Sequence, residues 1–168
     1  MTALDLATAF GTALAIGLLL GFERERTQAA AGEGPEPFAG ARTFALLSLL
    51  GAASAYTQSL LQSAWILPAA FLSVASLVVA SYLITARRGD LGSTTEVSAL
   101  VTFFLGALCV AGEAPLATAL AVCVLLLLSI KDWSHETARR ISPADIQAVL
   151  QFAIITVIVL PLLPDRAS

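Results

Sequence analysis

Six stretches of this chain run for about the length of a bilayer with few charges, and they limit the fold more than any other feature. A helix crossing the hydrocarbon core needs about 20 apolar residues, with a range of about 17–25. The stretches lie near residues 4–24, 42–62, 65–87, 95–112, 115–131 and 143–163. Three of them have short apolar runs and must extend into their polar flanks. Soluble domains carry about a quarter charged residues, whereas this chain has 12% charged and 58% hydrophobic residues and a mean hydropathy of +0.87. The expectation is an all-α, polytopic transmembrane helical bundle of about six helices, forming a single domain over residues 1–168. No stretch has the ten-residue alternation of a barrel strand. The composition argues against disorder. A pI near 5.0 without a basic patch argues against nucleic acid as a partner, and makes the lipid bilayer the expected one.

The first stretch is not a signal peptide by pattern: it carries Asp5 instead of a basic leader and runs into charges instead of a cleavage site. Orientation follows from the cations. Arg24, Arg26, Arg42, Arg87, Arg88, Lys131, Arg139 and Arg140 fall on one side of a six-helix path, and Arg166 alone on the other. Both termini are therefore expected outside, in a multi-pass protein of the cell inner membrane. Turns around Ser63 and Gly112–Pro115 are short, which makes helices two and three, and four and five, antiparallel neighbours. Ala29–Ala41 reads as a loop. Ser142-Pro143-Ala144-Asp145 is a good start for the sixth helix. Residues Ala45–Ala52 resemble Ala99–Ala107 with one insertion. Three helices plus three in opposite orientation would permit an inverted repeat of the transporter kind.

Charged residues within a membrane are costly and tend to be functional or paired. Three polar clusters fall at the same expected face: Glu23-Arg24-Glu25-Arg26 after the first stretch, Arg42-Thr43 at the second, and Thr94-Thr95-Glu96 at the fourth. They are expected to meet in an inner vestibule. In the first helix Ala13, Gly17 and Gly21 recur every four residues, a small-residue packing face, and continuing that row reaches Glu25 with Arg24 beside it and Glu23 turned away. Two readings of Arg42 and Glu96 stand side by side. One is a structural ion pair between helix starts. The other is an ion or proton site in which Glu96 binds and the hydroxyls of Thr94 and Thr95 assist. Carboxylates with hydroxyls and water suit a hard cation such as magnesium. Glu23, Glu25 and Glu96 are the candidate metal ligands. Gln147 and Gln151 share a helix face, read either as interhelical hydrogen bonding or as part of a pathway. His135, Cys109 and Cys123 carry no ligand pattern, and no cofactor is expected beyond magnesium as substrate or ligand. His135-Glu136 lacks the second histidine of a metalloprotease motif, and there is no GxSxG or P-loop, so no enzyme is expected.

Gly17-Leu-Leu-Leu-Gly21-Phe-Glu-Arg-Glu-Arg26, followed by Ala39-Gly40-Ala41-Arg42-Thr43-Phe-Ala-Leu, resembles the N-terminal membrane domain of the MgtC/SapB family. The matching residues are Glu23, Arg24, Glu25, Gly40, Arg42 and Thr43. Thr94-Thr95-Glu96-Val97-Ser98-Ala99-Leu100, Leu150-Gln151-Phe152-Ala153 and Leu160-Pro161-Leu162-Leu163-Pro164-Asp165 resemble the longer branch that continues into a DUF4010 membrane region. The resemblance implies a protein of magnesium transport or of adaptation to low magnesium. Because this chain is shorter than either relative, it also implies assembly as a homodimer, or as a heterodimer with a second similar half. The leading expectation is divalent cation transport, with Glu23, Glu25, Arg42, Thr95 and Glu96 as the functional cluster. The runner-up is a regulatory membrane protein that binds another membrane complex and moves no ion.

Overall fold

The computed structural model describes residues 2–31, 40–87 and 94–138. They form five α-helices: α1 (Ala3–Ala31), α2 (Ala41–Leu61), α3 (Ile66–Ala86), α4 (Thr94–Val110) and α5 (Ala114–Ala138). No strand occurs among the described residues. The expected sixth helix, with Gln147 and Gln151, lies outside them, as does the C-terminus. Among the described residues three helical spans are long and apolar enough to cross a membrane, Ala3–Thr27, Ala41–Leu61 and Ile66–Ile84, while the apolar parts of α4 and α5 are shorter. Residues 1–129 form one compact unit and 130–168 a second, of which the described part is the end of α5.

Local signals set the ends of the helices. Thr2 and Asp5 cap α1 reciprocally: the Thr2 N–H donates to Asp5 Oδ2 at 2.8 Å and the Asp5 N–H to Thr2 Oγ1 at 3.2 Å. At its other end α1 continues to Ala31, so Glu23–Arg26 lie on regular helix and the first part of the expected loop is helical. Between α2 and α3 the chain reverses through Gln62 in the left-handed region, φ 50°. There the Ser63 N–H reaches back to the Gln58 carbonyl at 3.3 Å, and Gln58 Oε1 accepts from the Leu67 N–H at 3.1 Å, so one side chain joins the two helix ends. Between α4 and α5 Gly112, at φ +91°, takes the left-handed position while the Glu113 N–H bonds the Leu108 carbonyl at 3.0 Å, a Schellman closure. Both turns are as short as their sequences require.

Helices α1, α2 and α4 make up the tightly packed centre of the first unit, and α3 flanks α2 and α4. In lipid there is no hydrophobic force between helices, so small residues that let backbones touch decide who packs on whom. A Cβ on Gly17 would stand 2.7 Å from Ala45 Cα, and one on Gly21 would collide with Ala41 Cα. The GxxxG of α1 is thus spent inside the chain, against α2. Ser48 Oγ adds a bond to the Ala13 carbonyl at 2.6 Å. Helix α2 crosses α4 more closely still: a Cβ on Gly51 would overlap the Phe103 carbonyl and one on Gly106 the Ser48 carbonyl. The two segments that resemble each other in sequence therefore meet at this crossing. Phe44 and Phe103 are fully buried beside it, and Phe71, Phe103 and Phe104 cluster with ring centroids 4.7–6.0 Å apart. On the outside the chain is apolar: Leu72, Leu77, Val79 and Leu83 of α3 are all exposed, and only 11% of that span is buried within the protein. A bilayer is the solvent that suits such a face.

The contacts fix the relative directions. Gly17 with Ala45 and Gly21 with Ala41 make α1 and α2 antiparallel. The end of α1 also meets the start of α4, where an Arg24 guanidinium N–H bonds Thr95 Oγ1. Arg24, Arg26 and Arg42 thus belong to one end of the unit, and Asp5 lies beside Gly112 and Ala114 at the other. If the arginine-bearing end is cytoplasmic, a reporter active only in the cytoplasm is expected to work when inserted after Arg87 and to be silent at Gly112. The opposite pattern would reverse the orientation.

Candidate functional site

The polar end is built by the last buried turn of α1 and the first turns of α2 and α4. The buried stripe of α1 comprises Ala9, Ala13, Ile16, Gly17, Leu20, Gly21 and Arg24. With 3.6 residues per turn, a row of four-residue steps drifts by about 40° at each step, whereas eleven residues make almost three whole turns. Continuing from Ala13 therefore returns the helix to its packed face at Arg24, not at Glu25. Arg24 is only 6% exposed, and one of the terminal N–H groups of its guanidinium bonds Thr95 Oγ1. Its Nε has no hydrogen-bond partner. Thr95 is also 6% exposed, and the next residue, Glu96, is 9% exposed with its Oε2 buried and unpartnered. Glu96 lies in the first turn of α4, where the helix dipole favours a negative charge.

The other acidic residues at this end are in use. Glu25 Oε1 accepts the Ala41 N–H at 2.8 Å, capping α2 where Gly40, the N-cap residue, has no side chain to do so. A Cβ on Gly40 would stand 2.9 Å from that oxygen, so the glycine makes room for the borrowed cap. Glu23 Oε1 accepts from Ser129 Oγ of α5 at 2.7 Å, and its Oε2 is 3.6 Å from Arg26. Among the described residues this is the one ion pair. Arg42 and Thr94 are exposed and Thr43 is half-buried. The structure thus joins Arg24 to Thr95, forms no ion pair between Arg42 and Glu96, and gives Glu23 and Glu25 partners of their own, apart from Glu96. Among the described residues no three His, Cys, Asp or Glu side chains gather to hold a metal. Glu25→Ala is expected to lower stability by about 1 kcal/mol, the usual loss of a helix cap, and to speed amide exchange at Ala41–Phe44. Unchanged exchange there would show that the cap is not needed.

At the opposite end a half-open cleft of about 500 Å³ lies between α2, the start of α3 and α4. Gln58, Ser59, Gln62 and Ser63 are its polar lining, and it has no charged side chain. Among the described residues the buried charges, Arg24 and Glu96, belong to the arginine-bearing end.

An apolar exterior and three helices of membrane-crossing length fit a helical membrane protein, with two charged side chains, Arg24 and Glu96, buried at one end. The chain belongs to the MgtC family, which it matches over residues 10–137. That span contains most of α1, all of α2 to α4 and α5 up to its penultimate described residue, and with them Arg24, Thr95 and Glu96. No curated protein and no solved structure matches the chain.

Proposed function

We propose that this MgtC-family protein is the membrane unit of a divalent cation transport system, with magnesium as the ion, and that Glu96 is its ion-accepting carboxylate. The observation that carries this reading is the buried, unpartnered Oε2 of Glu96 at the charged end of an otherwise apolar unit. A buried carboxylate oxygen left without a donor costs about 1–3 kcal/mol, a cost that a ligand removes on binding. A single carboxylate suits an ion that keeps most of its water shell, as magnesium does. Since a single unit offers one such carboxylate, the working assembly is a homodimer, or a heterodimer with a second membrane half of the DUF4010 kind. The membrane in question is the inner membrane.

A second reading, a regulator that binds another membrane complex during low-magnesium adaptation, draws on the separate duties of Glu23 and Glu25, which leave no metal cluster among the described residues. Magnesium uptake into liposomes containing the pure chain separates the two. Transport predicts uptake that Glu96→Gln reduces at least about tenfold, the effect of losing one charged contact. Absent flux from folded protein, together with a co-purifying membrane partner, would establish the regulator. A protein that stays monomeric in membranes while transporting would remove the dimer from the proposal.

A further inference from the structure

We propose that Arg24 is a tethered counter-cation for Glu96, and that Thr95 is the latch that holds it away so that an external cation can bind. The inference rests on the cation reading of Glu96 and assigns two further residues to that site. A guanidinium bonds a carboxylate about twice as strongly as a neutral hydroxyl. Arg24 nevertheless gives an N–H to the Thr95 hydroxyl, while Glu96, the adjacent residue, has a buried oxygen with no donor. Both side chains are more than nine-tenths buried, and each retains one unpartnered polar atom, Arg24 Nε and Glu96 Oε2. The other charged groups of this end do not account for the arrangement. Glu25 is committed to the start of α2, Glu23 to Ser129 and Arg26, and Arg42 is exposed.

The two arrangements of one arginine then differ in what Glu96 can accept. Bonded to Thr95, Arg24 leaves the carboxylate open to a cation. Turned onto Glu96, it forms the internal ion pair and excludes that cation. A buried positive charge held at the residue next to Glu96 also serves the release of the ion, since it can take the place of the departing charge and spare the carboxylate an unpaired state. Thr95 is a positioning residue in this scheme: it touches Arg24, and acts on the ion only through it.

The test is magnesium-dependent thermal stabilisation of the full chain in detergent, with the magnesium ion alone as probe, since a ligand that binds the folded state raises its stability by mass action. Thr95→Val keeps the side-chain shape without the hydroxyl and frees Arg24 to close on Glu96. The magnesium midpoint is expected to rise about tenfold, the equivalent of one charged hydrogen bond. Thr95→Ser, which keeps the hydroxyl, should restore the wild-type midpoint, and Glu96→Gln should remove the response. An unchanged or tighter midpoint in Thr95→Val, with the response still lost in Glu96→Gln, overturns the latch and leaves Glu96 as the ion site. A wild-type chain with no Glu96-dependent response overturns both. Thr95→Ala is a second variant without the hydroxyl. If it and Thr95→Val both fail to fold while Thr95→Ser folds, the hydroxyl is structural and the latch is overturned.

Discussion

Gly106→Val is expected to prevent the first unit from folding, although it adds only three carbons to an apolar helix. A Cβ at Gly106 would occupy the place of the Ser48 carbonyl oxygen, and the atoms it meets are backbone. Backbone cannot rotate aside as a long side chain does. The reciprocal contact, Gly51 against the Phe103 carbonyl, closes the other half of the same crossing. Nor can α2 retreat as a body, because Ser48 is bonded to the Ala13 carbonyl of α1 and Ala41 and Ala45 lie against Gly21 and Gly17. Overpacking typically costs about 1–3 kcal/mol and more when nothing can yield, so a loss of about 3 kcal/mol or more is expected, a large part of a typical domain's stability. Thermal unfolding and size-exclusion profiles in detergent read the effect. Gly11, beside which a Cβ meets nothing within 4 Å, supplies the control: Gly11→Ala should be neutral or slightly stabilising, since alanine is the better helix former. A Gly106→Val protein that melts with the wild type would show that α2 and α4 are not in backbone contact.

Arg24→Met carries the second large effect. Methionine preserves much of the apolar stem but removes the cation from a site that is 6% exposed. Thr95 then loses the charged donor on its hydroxyl, and Glu96 keeps its buried, unpartnered oxygen without the other buried charge of this end; a hydrogen bond to a charged group contributes about 1.5–3 kcal/mol. A loss of about 2 kcal/mol is expected for the single variant. Adding Glu96→Gln removes the stranded charge, so the double variant should be more stable than Arg24→Met alone. Groups that share one environment couple in this way, whereas distant ones add. Additive losses in the cycle would mean that Arg24 and Glu96 do not sense each other, and would count against a shared site.

Much of this fold was legible because apolar length and turn chemistry act locally. The helices α2, α3 and α4 lie within two residues of their expected bounds, and Gly112 and the polar run at Gln62 end their helices where short turns were expected. Helices α1 and α5 run about seven residues past the expected ends, because charged residues such as Glu23-Arg24-Glu25-Arg26 are good helix formers once outside the hydrocarbon. The close packing of the GxxxG was readable. Its partner was not, since only the fold shows that Gly17 and Gly21 meet Ala45 and Ala41 of the same chain. The site was half visible. The meeting of the α1 end with Thr95 and Glu96 could be expected from the clustering of polar residues at one face. The particular arginine was missed, because a four-residue row was extended past the point where its drift matters. An eleven-residue step from Ala13 would have selected Arg24. The cap that Glu25 gives to Ala41 depends on a partner sixteen residues away, and no local pattern announces it.

The central claim, that Glu96 is the carboxylate that meets the ion, is most directly tested by infrared difference spectroscopy of the full chain in lipid as magnesium is added. A cation on a carboxylate changes its stretching bands whether or not any ion is moved. The expected result is a magnesium-induced carboxylate band in the wild-type protein that disappears in Glu96→Gln and survives in Glu113→Gln, at the opposite end of the unit. Identical difference spectra from the wild type and Glu96→Gln would contradict it.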